Sequence, residues 1–263
     1  MKAEHNELLT RVGPGTACGA LLRCYWQPVA LAEEFDPNVD PAMRQRPLKR
    51  LRILGQDLVL FRDAAGVWGL LDRDCPHRGA DLAFARHEGD GLRCPFHGWK
   101  FDATGRCVDT PAEPLGSRLC ERVRQRSYPV QERSGVLFAW FGEEGSAPPP
   151  FPAFDCFTAP GTHTFAYKGL WRCNWLQAFE VGIDPAHTSF LHRFFDDEPL
   201  KKNSELASSE PVRSASHLYA VDRQRQVGAI RRKLDSMPLR CLNFRALTGS
   251  TKWLPLVIAK PLQ

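Results

Sequence analysis

Apolar residues come in short bursts rather than long runs, and the spacing of those bursts changes along the chain. Residues 1–28 form an N-terminal segment with a short amphipathic stretch, a Gly13-Pro14-Gly15 turn, and then Leu21-Leu22-Arg23-Cys24-Tyr25-Trp26. From about Leu48 to Phe141 the pattern becomes short β-like runs punctuated by turn residues, including Leu58-Val59-Leu60-Phe61 and Leu137-Phe138-Ala139-Trp140-Phe141. Arg52 to Phe61 and Val67 to Leu71, joined by Asp63-Ala64-Ala65-Gly66, read as a hairpin, and Gly98 to Phe101 and Gly135 to Phe141 supply further strands. This predicts a small antiparallel β-domain within residues 29–147. Pro148-Pro149-Pro150 with Pro152 reads as a stiff linker, since each ring fixes φ and removes a backbone donor. A second domain is expected in residues 148–263, taking shape near Phe154, with aromatic positions at Trp171 and Trp175 and a helical segment reaching Phe194. Beyond Pro199 the sequence turns polar and serine-rich, with a basic cluster at Arg231-Arg232-Lys233.

Composition narrows the class. With 263 residues, 43% hydrophobic and 25% charged, the chain can bury one large core or two modest ones. Its longest apolar runs fall far short of the roughly 20 residues that cross a bilayer, so no membrane span is expected. The opening Met-Lys-Ala-Glu-His-Asn-Glu is acidic and polar where an export signal would be basic and then apolar, which points to the cytoplasm. Thiols stay reduced there, so nine cysteines favour metal ligation over disulfides. The net charge of +5 is dispersed, and no nucleic-acid motif accompanies it; a surface suited to an acidic redox partner is the simpler reading. Gly13, Gly15 and Gly19 have part of the spacing of a dinucleotide loop, yet Cys18 stands in the third glycine's place and no strand precedes it.

The chemistry lies in two constellations. The first is Cys75-Pro76-His77-Arg78-Gly79 and, sixteen intervening residues after His77, Cys94-Pro95-Phe96-His97-Gly98-Trp99. Structural zinc also takes two cysteines and two histidines. Zinc fingers of that set pair like with like, whereas each loop here is mixed, Cys-x-His and Cys-x-x-His. Mixed loops suit a two-iron cluster in which one iron takes the cysteines and the other the histidines. Pro76 and Pro95 stiffen the turns, and Gly79 and Gly98 let the backbone curl and aim amides at the sulfurs. On these residues the chain closely resembles the Rieske proteins, with Cys75, His77, Cys94 and His97 as the 2Fe-2S ligands. Cys18, Cys24, Cys107, Cys120, Cys156, Cys173 and Cys241 read as small packing residues, and His87 as a surface histidine.

The second constellation, Glu180, Asp184, His187 and His192, follows the linker. On a regular helix at about 100° per residue Glu180, Asp184 and His187 share a stripe, while His192 lies roughly 140° from His187. Gly182 and Pro185 argue for a broken or bulged segment that would bring the two histidines together, with Asp184 capping a new helical stretch. Two histidines with one carboxylate form the facial triad of non-haem Fe(II) oxygenases.

In its order of elements the chain resembles the large subunit of Rieske non-haem iron aromatic-ring-hydroxylating oxygenases, in the phthalate dioxygenase and vanillate demethylase branch. The resemblance covers roughly residues 7–198 and rests on Arg11 to Thr16, Tyr25-Trp26-Gln27-Pro28, both cluster loops and the Glu180 to His192 motif. It implies an α+β architecture, an antiparallel β Rieske domain followed by an incomplete helix-plus-antiparallel-sheet catalytic domain. It implies a mononuclear Fe(II) at His187 and His192, an aspartate at Asp184 linking that iron to His97 of a neighbouring subunit, and Glu180 as a polar residue beside it. Electrons would come from NAD(P)H through a separate flavin/iron-sulfur reductase, the substrates would be dioxygen and a small aromatic acid, and the assembly a homotrimer. Phthalate-type hydroxylation is the reading taken, with vanillate-type O-demethylation and a Rieske electron-transfer protein as alternatives. The family's third iron ligand is a distant aspartate; Asp222 and Asp235 lack its context, so the sequence reads as cut short before that ligand.

Overall fold

The computed structural model describes residues 2–154, 157 and 166–184. Two helices, α1 (Ala3–Thr10) and α2 (Ala17–Arg23), lead into eleven strands: β1 (Trp26–Leu31), β2 (Leu48–Ile53), β3 (Gln56–Arg62), β4 (Trp68–Asp72), β5 (Arg86–His87), β6 (Leu92–Arg93), β7 (Lys100–Phe101), β8 (Cys107–Asp109), β9 (Ser127–Tyr128), β10 (Val130–Arg133) and β11 (Val136–Trp140). A short helix, α3 (Leu119–Arg122), separates β8 from β9, and α4 (Trp175–Gly182) follows the linker. The strands form three antiparallel sheets, ordered β1-β11-β10, β2-β3-β4-β9 and β5-β6-β7-β8.

The run Leu58-Val59-Leu60-Phe61 explains how the layers stack. All four side chains are fully buried, and because successive residues on a strand point to opposite faces they feed two different cores. Leu58 and Leu60 pack with Val29, Leu137, Ala139 and Phe141 on one side. Val59 and Phe61 pack with Leu92, Cys94, Trp99 and Phe101 on the other. The middle sheet is therefore covered on both faces, and burying each such leucine or phenylalanine is worth about 1.5–3 kcal/mol.

One strand differs from its sequence reading. The run from Arg52 to Phe61 is not continuous: it turns at Leu54 and Gly55, both with positive φ (47° and 72°), so β2 and β3 make their own hairpin before β3 pairs with β4. Leucine disfavours that conformation, which hid the turn, but its side chain is buried in the first core and that burial offsets a cost of about 1–2 kcal/mol. A Cβ on Gly55 would meet the Cα of Gly13 at 2.9 Å, so the N-terminal Gly-Pro-Gly turn serves to pack against this hairpin. The proline linker docks onto the same unit: Trp26 donates its indole N–H to the carbonyl of Pro149 at 2.9 Å, and the Phe151 ring lies 4.9 Å from that of Phe138.

A compact unit runs to Trp175, and a second begins at Leu176, of which residues 176–184 are described. Trp175 donates its indole N–H to the Leu9 carbonyl at 2.9 Å. The helix ends at Gly182 and the Asp184 amide reaches back to the Val181 carbonyl at 3.3 Å, while the rest of the segment expected to reach Phe194 lies outside the described residues. Among the described residues no helix is long and apolar enough to cross a membrane.

Candidate metal centre

The two Cys/His loops sit between β4 and β5 and between β6 and β7, and they share one backbone design. In each, the cysteine amide donates to the carbonyl five residues on, Cys75 to Ala80 at 2.9 Å and Cys94 to Trp99 at 2.8 Å. The glycine four residues after the cysteine donates back, Gly79 to Cys75 at 2.8 Å and Gly98 to Cys94 at 3.1 Å. Both glycines close the loop in the left-handed region (φ 68° and 76°), where a side chain is strained. The histidines occupy different places in matching loops, yet their rings come within 4.6 Å of each other.

Cys75 and Cys94 lie buried beneath the loops and the histidines are half-buried above them. The Cys75 thiol is pushed up to about 11 by burial, against the pull of backbone N–H groups of His77 and Arg78, while the neighbouring Cys94 thiol adds to the rise. Metal binding must expel that proton, because the thiolate is the ligand. The Nδ1 of His77 is buried without a hydrogen-bond partner, a state that costs about 1–3 kcal/mol unless a ligand occupies it. The donor set therefore fits a Rieske-type cluster: paired thiols beneath, an orphaned imidazole nitrogen above, and amides directed at sulfur. Among the described residues no three His, Cys, Asp or Glu side chains gather around one point, and a two-iron cluster requires only two protein ligands per iron.

Three further residues hold the site, none given a role by the sequence. Trp99 is buried and stacks flat on His77, with centroids 4.3 Å apart and planes 5° from parallel. Gln125, a buried polar residue, donates to the carbonyls of Asp72 and Asp74 at 2.6 and 2.9 Å and so fixes the chain entering the first loop. Arg93, 15% exposed, donates to the Gly98 carbonyl at 2.6 Å, to both Glu88 carboxylate oxygens at 2.8 Å and to Asp109 at 2.8 Å. Burial works against its charge, but the Glu88 and Asp109 hydrogen bonds hold its pKa above the ordinary value. A tryptophan after the glycine and an arginine before the cysteine were visible as residues; their contacts depend on non-local pairings. The carboxylates of Glu88 and Asp109 are 32% and 44% exposed, so they rehydrate when the arginine is removed. Arg93→Gln should thus destabilise the unit by about 2 kcal/mol rather than the larger penalty of a fully buried pair. Urea unfolding checks this, and an unchanged midpoint would refute it.

His87 is not part of the centre. It lies in β5, its Nε2 is 2.8 Å from the Arg62 carbonyl oxygen and its ring meets Phe61 edge-on at 6.2 Å. Of the other cysteines, Cys18 and Cys107 are buried, Cys24, Cys120 and Cys173 are half-buried, and Cys156 and Cys241 lie outside the described residues. Glu180 is half-buried on α4 and Asp184 is half-buried just beyond its end. His187, His192, Asp222 and Asp235 lie outside the described residues.

Comparison with known proteins agrees with this geometry. Residues 25–129 match the Rieske [2Fe-2S] domain family. The chain is 44% identical over 191 residues to the tert-butanol monooxygenase / tert-amyl alcohol desaturase oxygenase subunit of Aquincola tertiaricarbonis, covering 72% of this chain and 38% of that protein. It is 42% identical over 204 residues to the 5,5'-dehydrodivanillate O-demethylase oxygenase subunit of Sphingobium sp. (strain NBRC 103272 / SYK-6), covering 73% and 44%. Among solved structures, the oxygenase in the oxygenase–ferredoxin complex of carbazole 1,9a-dioxygenase aligns with a TM-score of 0.53 at 26% identity, over 72% of this chain and 46% of that one. The chain thus spans less than half the length of these relatives.

Proposed function

The chain belongs to the Rieske-domain large subunits of aromatic-ring-hydroxylating oxygenases, and from that premise we propose that it acts in the oxygenase component of a two-centre iron enzyme that hydroxylates an aromatic acid of phthalate type. The observation that carries this reading is the matched pair of Cys/His loops with its orphaned His77 Nδ1. In this proposal Cys75 and Cys94 hold one iron of the cluster, His77 and His97 hold the other, and His187 and His192 hold a mononuclear Fe(II). The cluster, when bound, supplies single electrons received from NAD(P)H through a flavin/iron-sulfur reductase, and the Fe(II) supplies the oxygen chemistry. Residues 29–147 serve as the Rieske domain and residues 148–263 as part of the catalytic domain.

The chain's own groups then have defined tasks. The His77 and Arg78 amides stabilise charge on the Cys75 sulfur, Trp99 fixes the plane of His77, and Arg93 locks the carbonyl beside His97. Asp184 bridges to His97 of the next copy in a head-to-tail ring of three, positioning one centre against the other. O-demethylation is the second reading, favoured by the 42% identity to the dehydrodivanillate O-demethylase subunit.

Two measurements test the proposal. Iron counting after anaerobic loading separates the readings, at about three atoms per chain for an oxygenase with both centres and about two for a Rieske carrier with no second centre. With reductase, NADH and a panel of phthalate-like, vanillate-like and phenoxybenzoate-like acids, product identified by mass decides between hydroxylation and demethylation. Asp184→Ala should leave the cluster spectrum intact and cut product formation roughly 100-fold, the scale of a lost positioning group. Turnover undiminished in that variant would remove the bridge from the scheme.

A further inference from the structure

We propose that Cys107 and Cys120 form a peroxide-responsive dithiol, a modification site separate from the cluster ligands, in which Cys120 is oxidised first and Cys107 closes a disulfide onto it. The pair comes from two consecutive elements, Cys107 on β8 and Cys120 on α3, 13 residues further along the chain. Their sulfurs are 3.7 Å apart, in van der Waals contact. A disulfide needs about 2.0 Å, so the atoms have roughly 1.7 Å to travel. α3 is only four residues long, and its Arg118–Glu121 ion pair lies on the surface, 75% and 58% exposed. Leu119 and Cys120 pack only at the edge of the second core, so the shift needed is local to this short element.

The two thiols are placed for different roles. Cys107 is buried, and burial together with the adjacent Cys120 pushes its thiol up to about 12, so it waits as the protonated partner. Both cysteines border an open cleft of about 420 Å³ with Arg106, Glu121, Arg122 and Arg124, and Cys120 is the more exposed of the two, half-buried where Cys107 is 4% exposed. The cleft admits a small peroxide, and its guanidinium groups favour the hydroxide that leaves during attack. In the first step the Cys120 sulfur attacks one peroxide oxygen. The S–O bond forms, the O–O bond breaks, and the departing hydroxide takes the thiol proton to leave as water. In the second step the Cys107 sulfur attacks the sulfenic sulfur of Cys120. The S–S bond forms, the S–O bond breaks, and a second water leaves with the Cys107 proton. Two thiols lose two electrons in total, and one peroxide becomes two waters.

This chemistry lies directly behind the second cluster loop. The Cys107 thiol donates to the Asp109 carbonyl at 3.7 Å, and Thr110 Oγ1 lies 3.4 Å from the Cys120 sulfur. The Asp109 carboxylate holds Arg93, which pins the Gly98 carbonyl. A Cβ on Gly98 would meet the Pro111 ring at 2.8 Å, so the segment 109–111 is the loop's backing. A disulfide removes the Cys107 proton and with it the contact to the Asp109 carbonyl, and drawing the sulfurs together shifts Cys120 relative to Thr110, so the backing of the loop around His97 loosens.

The test uses the full chain with its cluster loaded. After one equivalent of hydrogen peroxide, free thiols are alkylated and peptides are weighed. A Cys107–Cys120 peptide lighter by two hydrogens, reversed by dithiothreitol and formed faster as pH rises, is the expected product. Cys107→Ser should stop at a sulfenic acid on Cys120 that dimedone traps, and Cys120→Ser should leave Cys107 alkylatable. Iron release to a chelator should run several-fold faster from the disulfide form than from the reduced form. Both thiols remaining fully alkylatable, or Cys120 cross-linking only between chains, would overturn the pair; equal iron release from the two forms would overturn its link to the loop. None of these readouts needs turnover, so failure here is distinguishable from failure of the oxygenase reading.

Discussion

His77→Cys is expected to give a protein that still assembles an iron–sulfur cluster but with a reduction potential lower by on the order of 100–300 mV. The reasoning is electrostatic. Two neutral imidazoles on one iron set Rieske potentials at about −150 to +300 mV, against about −400 mV for an all-thiolate cluster of the plant type, so one replacement should recover a large part of the gap. The position can accept the change because the His77 side chain reaches its place from a rigid loop, with the Cys75 amide and the Gly79 turn untouched by the substitution. Losing the Trp99 stack removes a packing surface, which should lower cluster yield without changing the direction of the shift. Titration against redox dyes followed in the visible spectrum gives the number. A potential equal to that of the unchanged protein, or a colourless product holding only zinc after anaerobic iron loading, would exclude His77 as a ligand.

Gly105→Ala should be the most damaging single substitution outside the ligands. Gly105 adopts φ 78°, and a Cβ there would run into the backbone carbonyl oxygen of Gln125, an atom that cannot swing away. The same residue is tied in both directions, with its amide on Asp102 and its carbonyl accepting from Gln125. Left-handed strain costs about 1–2 kcal/mol by itself, and the clash with fixed backbone brings the total to about 3 kcal/mol or more. Gly145→Ala supplies the control, since its φ is 81° but nothing lies within 4 Å of its Cβ position; it should lose only the strain. The thermal midpoint of Gly105→Ala is expected to drop by on the order of 10 °C. Because Gln125 holds the chain that enters the first cluster loop, iron content should fall with it. A midpoint within a degree or two of the unchanged protein would show that the β8–β9 connection can yield.

The local part of this protein was legible in its sequence. The candidate centre was marked because metal chemistry restricts the donor types and the loop restricts their spacing, so Cys75, His77, Cys94 and His97 with Gly79 and Gly98 stand out as a donor set without any fold. The strands around Val136–Trp140 and Trp68–Asp72 could be placed for a similar reason, since a buried strand needs an apolar run ended by turn residues. What the tertiary structure decided is everything that depends on pairs distant in sequence. The turn at Leu54 looked like strand because its leucine is held in an unfavourable conformation by a core assembled from elsewhere. The division of Leu58 and Leu60 from Val59 and Phe61 between two cores needed the third sheet to exist. Arg93, Gln125 and Trp99 act on the site through carbonyls, carboxylates and a ring brought to them by strand pairing, and the Cys107–Cys120 contact is set by the packing of α3 on β8. Spacing in sequence encodes what one loop does to one metal; which side chain supports that loop from behind is fixed only when the sheets close.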